Sequence, residues 1–382
     1  FKNERVLIRV IEILLYYVRR GADLIRLDAV TYLWSELGTS CAHLRQTHVL
    51  VQLFRSILDV VAPHVALVTE ANVPHSENLS YFGDGTNEAQ MVYNFALPPL
   101  VLYSFQEGNC ELLSQWAEGL EKISDTATYF NFLDSHDGIG LLPVRNIMSG
   151  EEIGSLIRKA LSHGGIVSYR DEADGSISPY EIDITWWSAM NRKSYAGRES
   201  DEEPLDLQVD RFIASRAVAL VMRGVPGIYL PSLFGTENDL EAVLEGGEPR
   251  SINRKTIDEP SLFEKLSDRD SSTYKVASRL RELIDTRTRN PAFHPNGAQR
   301  ILRGNPRVFS LLRVSPDERH RVLALINVSS MSQQVSFEGS ELGVSASAWR
   351  DLFAGETVSA SGGGIETQLR PYQVRWLAPV AA

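Results

Sequence analysis

Residues 22–28 read ADLIRLD, an apolar run that ends on a carboxylate, and this stretch decides the fold. The sequences VALVTE at 65–70 and YFNFLDSHD at 129–137 have the same form. Each run is short and mainly apolar, which is typical of a buried strand in a parallel sheet. Because the carboxyl ends of parallel strands meet at one edge of a sheet, we expect the terminal carboxylates at the same end of the fold.

Helical patterns lie between these strands. Residues 3–20 and 45–62 have apolar side chains at helical spacing, and Gly21 and Pro63 end the two patterns. Further segments are predicted as helices near 98–106, 110–122, 207–223, 260–267 and 273–288, and as strands at 91–95 and 225–230. This alternation predicts a parallel sheet with crossover helices, and a doubly wound sheet would satisfy it too. Carboxylates at three strand ends favour a (β/α)8 TIM barrel.

The number of strands predicts only part of a barrel. Five parallel strands are recognisable whereas a closed barrel has eight, and we expect the missing ones before Phe1, which is not a Met. From about residue 298, short β-rich runs separated by turns predict an antiparallel β-domain. We therefore predict a partial barrel over 1–297, with an inserted loop region around 165–205, and a C-terminal β-domain over 298–382. The charged stretch 198–203 is interpreted as a solvated loop.

Composition and charge exclude several classes of protein. The 382 residues carry a net charge of −11, which argues against nucleic acid or an anionic membrane as a partner. The apolar run 6–18 contains two charged residues and is too short to span a bilayer. Two cysteines at unrelated positions predict a reducing, cytoplasmic location and neither a disulfide framework nor a metal site. Whether the chain forms a homodimer is left open.

Carboxylates at strand ends suit glycosidic-bond cleavage, which needs a nucleophile, an acid/base and stabilisation of an oxocarbenium-like transition state. Asp28 is the candidate nucleophile, because Arg26 emerges on the same strand face and keeps a carboxylate ionised. Glu70 is the candidate acid/base, because burial at the end of an apolar strand raises the pKa of a carboxyl group. The alternatives are a structural Arg26–Asp28 ion pair and a Glu70 that only caps the next loop.

Asp137 is the third candidate carboxylate, suited to grip sugar hydroxyls and to stabilise positive charge. His136 beside it is a candidate donor to a sugar hydroxyl, and Asp134 competes with Asp137 for its role. A satisfied core histidine is the alternative for His136. No second histidine stands at ligand spacing, so a metal site is not predicted.

Two loop segments are candidates for substrate binding. Residues 246–254 place two arginines, among them Arg250, after a Gly-Gly turn, and the guanidinium fork suits phosphate or carboxylate. Tyr180 and Glu181, followed by a Trp pair at 186–187, offer an acid and aromatic faces to a sugar. The alternatives are solvent-exposed arginines and aromatic core packing.

Taken together, these segments resemble the α-amylase superfamily of retaining glycosidases (glycoside hydrolase family 13). In this resemblance, RLD at 26–28 corresponds to the nucleophile strand, Glu70 to the acid/base and residues 136–137 to the histidine–aspartate pair of the stabiliser. The segments LDSHDGIG at 133–140 and RSINR at 250–254 are similar to those of the sucrose phosphorylase-like branch.

The resemblance implies a retaining glycoside phosphorylase, a hexosyltransferase without a metal or organic cofactor. An α-glucoside would transfer its glucosyl group to Asp28, and inorganic phosphate would then release α-D-glucose 1-phosphate. Catalytic roles are implied for Asp28, Glu70 and Asp137, and substrate contacts for Arg26, His136, Tyr180, Glu181 and Arg250.

Two departures from the family limit this implication. The family's opening barrel strands and inserted domain are absent, so the activity of this chain by itself is an open question. Glu181 stands where sucrose-acting members tend to have glutamine, and residues 72–83 are similar to the glucosylglycerate phosphorylase-type subgroup, which makes glycerate the first candidate acceptor. The alternatives are a hydrolase or transglucosylase of the same superfamily, a non-catalytic relative, and a truncated product without function.

Overall fold

The structure is a computed structural model that describes residues 1–172, 174–191, 203–344 and 346–380. The charged stretch predicted at 198–203 therefore lies outside the described residues apart from Glu203, as does much of the predicted insertion after residue 191. The chain divides into two compact units, one formed by 1–95 with 122–130 and the other by 96–121 with 131–382.

The first unit contains a parallel sheet with the strand order β1-β2-β3-β4. Its elements are α1 (Glu4–Arg19), β1 (Leu24–Leu27), α2 (Arg45–Val61), β2 (Ala66–Thr69), α3 (His75–Leu79), β3 (Met91–Tyr93) and β4 (Thr128–Asn131), whose last residue lies in the second unit. Val68 pairs with Arg26 on one side and with Met91 on the other, which fixes the register of the first three strands. The strands and helices predicted here are confirmed with shorter bounds.

The core of this unit lies between the helices and the sheet. Leu14, Phe54, Leu58 and Leu67 are buried there, and each such side chain contributes roughly 1.5–3 kcal/mol. Arg55 of α2 is buried as well, and its guanidinium donates to the backbone carbonyl of Val65 at 2.9 Å and to the side chain of Gln90 at 2.8 Å. These contacts hold α2 against the sheet whose ends carry the candidate residues.

The second unit begins with helices and a small antiparallel sheet of order β5-β7-β6. Its first elements are α4 (Leu97–Glu107), α5 (Glu111–Glu118), β5 (Ile139–Gly140), α6 (Gly150–Ser162), β6 (Ile166–Asp171), β7 (Ile177–Asp183), α7 (Trp186–Met190), α8 (Leu205–Val221), β8 (Val225–Pro226), α9 (Leu240–Leu244), α10 (Glu259–Ser267) and α11 (Ser272–Arg289). The strand predicted at 225–230 is only two residues long, and a 3₁₀ helix follows it at Leu230–Phe234.

The region around 178–187 is not the long loop that the sequence predicts. It forms β7 and α7, and both tryptophans of α7 are buried. The indole N–H of Trp186 donates to the hydroxyl of Ser215 at 2.8 Å. The structure therefore shows aromatic core packing and not an aromatic face open to a sugar. The Trp186 ring is buried, and its one polar atom is already hydrogen-bonded.

The remainder of the second unit is an eight-stranded antiparallel sheet of order β12-β15-β14-β13-β16-β11-β10-β9. Its elements are β9 (Ala298–Leu302), β10 (Val308–Val314), β11 (Arg321–Asn327), β12 (Gln333–Phe337), α12 (Gly339–Leu342), β13 (Ala348–Asp351), β14 (Thr357–Ser361), β15 (Gly364–Leu369) and β16 (Val374–Val380). Trp349, Leu323 and Leu377 lie in its core. The antiparallel β structure predicted after residue 298 is confirmed.

Helix α8 is fixed at its C-terminal end by buried arginines. Arg287 donates to the backbone carbonyl of Leu220, and Arg313 of β10 donates to that of Val221 at 2.8 Å. Helix C-terminal carbonyls lack intrahelical partners and carry partial negative charge, so cations bind well there. Burial lowers the pKa of Arg287 to about 10. These bonds anchor the helix that carries Arg216, a residue of the candidate site.

Candidate active site

In the first unit, two carboxylates lie around one guanidinium at the carboxyl ends of β1 and β2. The Nη2 atom of Arg26 is 2.8 Å from Oδ1 of Asp28 and 3.8 Å from Oε2 of Glu70. The sequence predicted the first of these contacts from the spacing of Arg26 and Asp28. Because both carboxylates approach the same guanidinium nitrogen, their carboxyl groups lie near each other at this edge of the sheet.

The two carboxylates differ in their surroundings. The side chain of Asp28 is 70% exposed, whereas that of Glu70 is 13% exposed. The backbone N–H of Ala29 donates to Oε2 of Glu70 at 2.9 Å, and Ala29 has a φ of 44°. A positive φ is uncommon for a residue other than glycine, and such strain often marks a functional site. The turn after β1 therefore holds the Glu70 carboxyl in place, and the raised pKa expected for Glu70 stays a prediction.

Tyr93 at the end of β3 is a neighbour of Arg26 that the sequence analysis did not single out. Its ring centroid lies 5.5 Å from the guanidinium carbon of Arg26, and its ring also contacts that of Phe130, with 4.7 Å between centroids. A cation over an aromatic face contributes roughly 0.5–2 kcal/mol. Tyr93 could have been found from the sequence, because it lies at the carboxyl end of a predicted strand, as the candidate carboxylates do.

In the second unit, Asp134 and Asp137 have different partners. Arg216 donates through both terminal nitrogens to Asp134, at 2.7 and 2.8 Å, and the Ser232 hydroxyl also donates to it. Both side chains of this pair are buried, with 3% of Arg216 and 7% of Asp134 exposed. Bidentate pairing of this kind is among the stronger side-chain interactions, and it fixes the orientation of the carboxylate. Asp134 is thus occupied by a structural ion pair.

Asp137 lies among cations but is less enclosed. Its Oδ1 is 2.8 Å from Nη1 of Arg250 and 3.4 Å from Nη2 of Arg254, and Nε2 of His136 is 3.6 Å away. The side-chain amide of Asn253 donates to the backbone carbonyls of Ser135 and Asp137, each at 3.0 Å. The loop is thereby fixed while the Asp137 side chain remains 23% exposed.

Arg250 connects Asp137 with Glu181. Its Nε and Nη2 atoms donate to the two carboxylate oxygens of Glu181 at 2.6 and 2.8 Å, so the predicted contacts Glu181 and Arg250 form a bidentate pair. The hydrogen bonds that Arg250 donates to Glu181 raise the pKa of Arg250, and Asp137 and Tyr180 act on it in the same direction. Tyr180 is half-buried. The structure therefore brings Asp137, His136, Tyr180, Glu181 and Arg250 together in the second unit.

Asp183 is a further titratable residue beside this cluster that the sequence analysis missed. It is fully buried, and Ser168 of β6 donates to its Oδ2 at 2.6 Å. Burial, together with the neighbouring Glu181, raises the pKa of Asp183 to about 7. The signal was present in the sequence, because Glu181 and Asp183 are two residues apart on one strand and so share a face.

Within the described ranges, no group of histidine, cysteine, aspartate or glutamate residues is placed to hold a metal ion. The same part of the chain contains no helix with both the length and the apolar character that crossing a membrane requires.

Comparison with known proteins decides the family. No family model matches the chain. A glucosylglycerate phosphorylase from Allomeiothermus silvanus is 43% identical over 377 residues, which cover 99% of this chain and 63% of that protein. The chain belongs to the α-amylase superfamily. A sucrose phosphorylase from Streptococcus mutans also matches, with 25% identity over 320 residues, which cover 83% of this chain and 60% of that protein.

Solved structures support the fold expected for the superfamily. The crystal structure of a sucrose 6F-phosphate phosphorylase from Thermoanaerobacter thermosaccharolyticum matches with a TM-score of 0.65 and 23% identity, over 83% of this chain and 58% of that one. An α-amylase from H. orenii matches with a TM-score of 0.64 and 17% identity, over 100% of this chain and 65% of that one. The predicted fold class, a partial (β/α)8 barrel with a C-terminal antiparallel β-domain, is confirmed.

Proposed function

We propose that the full-length protein is a retaining glycoside phosphorylase that cleaves an α-glucoside with inorganic phosphate to α-D-glucose 1-phosphate. The observation that carries this proposal is the 43% identity, over 99% of the chain, to a protein named glucosylglycerate phosphorylase. The chain spans 63% of the length of that relative. Glycerate is the proposed acceptor in the reverse reaction, and a sucrose-like glucoside is the second candidate substrate.

In this proposal Asp28 attacks the anomeric carbon and Glu70 protonates the leaving oxygen, which gives a covalent glucosyl ester on Asp28. Phosphate then attacks the ester, and the second inversion restores the original α configuration. The exposure of Asp28 suits a nucleophile that must reach a sugar, and Arg26, 2.8 Å away, holds its carboxylate at the end of β1. The 13% exposure of Glu70 suits a group that has to hold a proton.

Asp137 is the proposed third carboxylate, and the partners of Asp134 support this choice. The Asp134 side chain is only 7% exposed and already accepts from Arg216 and Ser232, whereas that of Asp137 is 23% exposed. His136 has a side chain that is 51% exposed, which suits a donor to a sugar hydroxyl. Tyr180, Glu181 and Arg250 are the proposed substrate contacts in the same unit, and a guanidinium there suits an anionic reactant such as glycerate or phosphate.

Three further predictions accompany this function. We propose the barrel over 1–297 and the β-domain over 298–382 as the domain organisation, with inorganic phosphate as a co-substrate and no other cofactor. A cytoplasmic location is proposed on the sequence argument from the two cysteines alone.

The test is phosphate release from α-D-glucose 1-phosphate by the full-length protein with glycerate, fructose, fructose 6-phosphate or glycerol as the acceptor. We expect release with glycerate to be at least about tenfold faster than with the other acceptors, a discrimination of roughly 1.4 kcal/mol. Release at one slow rate with every acceptor and with none would indicate hydrolysis of the glucosyl ester. No release at all would contradict the proposal and favour a hydrolase of other glucosides or a non-catalytic relative.

A further inference from the structure

Two buried carboxyl groups lie side by side at the end of β7. The side chain of Glu181 is 2% exposed, and Asp183 is fully buried. A Cβ atom added to Gly138 would be 2.3 Å from Cγ of Glu181 and 2.8 Å from Oδ1 of Asp183. Both groups therefore border the same point, and any side chain larger than that of glycine at 138 would displace them.

The two carboxyl groups differ in the donors that reach them. Arg250 binds both oxygens of Glu181. Oδ2 of Asp183 accepts from the Ser168 hydroxyl, whereas Oδ1 is buried and has no hydrogen-bond partner among the described residues. The described arginines and lysines form no ion pair with Asp183. An ionised, buried carboxylate with one donor is costly, and a protonated carboxyl group would supply the missing bond itself.

We propose that Asp183 keeps its proton and donates it in a hydrogen bond to Glu181, so that it is a positioning residue that holds Glu181 on Arg250. The two carboxyl groups then contain one proton and carry one negative charge. The proposal deepens the proposed function and rests on it, since Glu181 and Arg250 are substrate contacts only there. In the catalytic cycle the proton stays within the pair, and no covalent bond changes.

The surrounding charges agree with this distribution of the proton. The groups that face Asp183 are Ser168 from β6, Glu181 from its own strand and Arg250 from the 3₁₀ helix Pro249–Asn253. Burial acts most strongly and raises the pKa of Asp183 to about 7, Glu181 adds to this, and Ser168 and Arg250 oppose it. The Arg250 fork donates to both oxygens of Glu181 and forms no hydrogen bond with Asp183. Strongly interacting groups titrate as a pair, so the pH dependence belongs to both residues.

Loss of the shared proton has a structural consequence. Above the pKa of the pair, Glu181 and Asp183 would place two negative charges next to each other in a buried site. Arg250 is the arginine that binds Glu181 there, and it also binds Asp137. Repulsion would then move Glu181 away from Arg250 or draw water into the site. We therefore expect substrate binding to weaken as the pH rises above about 7.

The first experiment measures kcat/KM for α-D-glucose 1-phosphate with glycerate from about pH 5.5 to about pH 9 in the full-length protein. In the wild type we expect kcat/KM to fall up to about tenfold per pH unit above the pKa of the pair. Asp183→Asn keeps a neutral N–H donor for Glu181, so its kcat/KM should stay within about threefold of the wild type at low pH. Its alkaline decrease should be shallower than that of the wild type, because only the contribution of the acid Glu70 remains. Asp183→Ala has no donor and should be impaired at every pH.

The matched control is Asp171→Asn on the neighbouring strand β6, where the aspartate is exposed. This variant should follow the wild-type profile throughout. An Asp183→Asn profile with the wild-type alkaline decrease, or Asp183→Asn and Asp183→Ala profiles that are equally poor at every pH, would overturn the proposal.

A second readout needs no substrate and so separates this inference from the proposed function. A raised pKa in an acid means that the folded state binds the proton more tightly than the unfolded chain, so its contribution to stability is lost as the pH rises from about 4 to about 7. Asp183→Asn removes this loss. The difference in thermal midpoint, Asp183→Asn minus wild type, should therefore be more positive at pH 8 than at pH 5. This measurement does not require that any glucoside is turned over. A difference in midpoint that is the same at both pH values would contradict the shared proton.

Discussion

Replacing Asp28 by asparagine in the full-length protein is expected to lower kcat/KM for phosphorolysis by roughly 10⁴-fold or more, the scale on which removal of a nucleophile acts. The amide of asparagine is neutral and cannot form the glucosyl ester. Because the Asp28 side chain is 70% exposed, the substitution should leave the free energy of unfolding nearly unchanged. The measurement is steady-state phosphorolysis together with a thermal melt of the same preparation.

Asp23→Asn is the matched control for this prediction. Asp23 precedes the amino end of β1, is exposed, and carries the same charge as Asp28 at the other end of the strand. This variant should retain wild-type turnover. If Asp28→Asn were as active as Asp23→Asn, then Asp28 would not be the nucleophile, and the Arg26–Asp28 pair would be structural only.

Breaking the Asp134–Arg216 pair is expected to give the largest loss of stability among the candidate carboxylates. Asp134→Ala leaves the Arg216 guanidinium buried without its carboxylate, and such uncompensated charges cost roughly 3–5 kcal/mol. The Arg216 side chain is 3% exposed, and its guanidinium also lies over the rings of Trp186 and Phe212, at 5.4 and 5.1 Å from the centroids. Denaturant unfolding of the full-length protein measures the change.

Two companion variants make this prediction specific. Asp134→Leu combined with Arg216→Met removes both charges and should recover part of the lost stability, because a buried pair is often no better than apolar residues of similar volume. Asp137→Asn should do the reverse, with a large loss of turnover and a change in stability of about 1 kcal/mol or less, since its side chain is partly exposed. A large stability loss in Asp137→Asn with little loss in Asp134→Ala would reverse the proposed roles.

The strand ends could be predicted because their signal is local. The segments around β1, β2 and β4 are apolar runs that end in carboxylates. Such a run predicts a strand without knowledge of the strands that pair with it. Helix α6 was missed although its start is also local. Ser149 and Glu152 form a capping box in the structure, and this pattern of Ser followed by Glu three residues later is visible in the sequence.

The partners of the carboxylates could not be predicted, because they are distant in sequence. Arg216 is 82 residues from Asp134, and Arg250 is 69 residues from Glu181. Only the fold brings these side chains together. From the sequence alone, a guanidinium after a glycine turn is equally suited to bind phosphate, a carboxylate of the substrate or a carboxylate of the protein. For the same reason, the sequence left the choice between Asp134 and Asp137 open.

In the proposed reaction, a glucosyl group passes to inorganic phosphate with retained configuration. The most direct test is to incubate the full-length protein with glucosylglycerate and phosphate and to follow the products by ³¹P and ¹H NMR. We expect α-D-glucose 1-phosphate and glycerate in equal amounts, with no phosphorolysis by the Asp28→Asn variant. Free glucose in place of the phosphate ester, or the β anomer of glucose 1-phosphate, would contradict it.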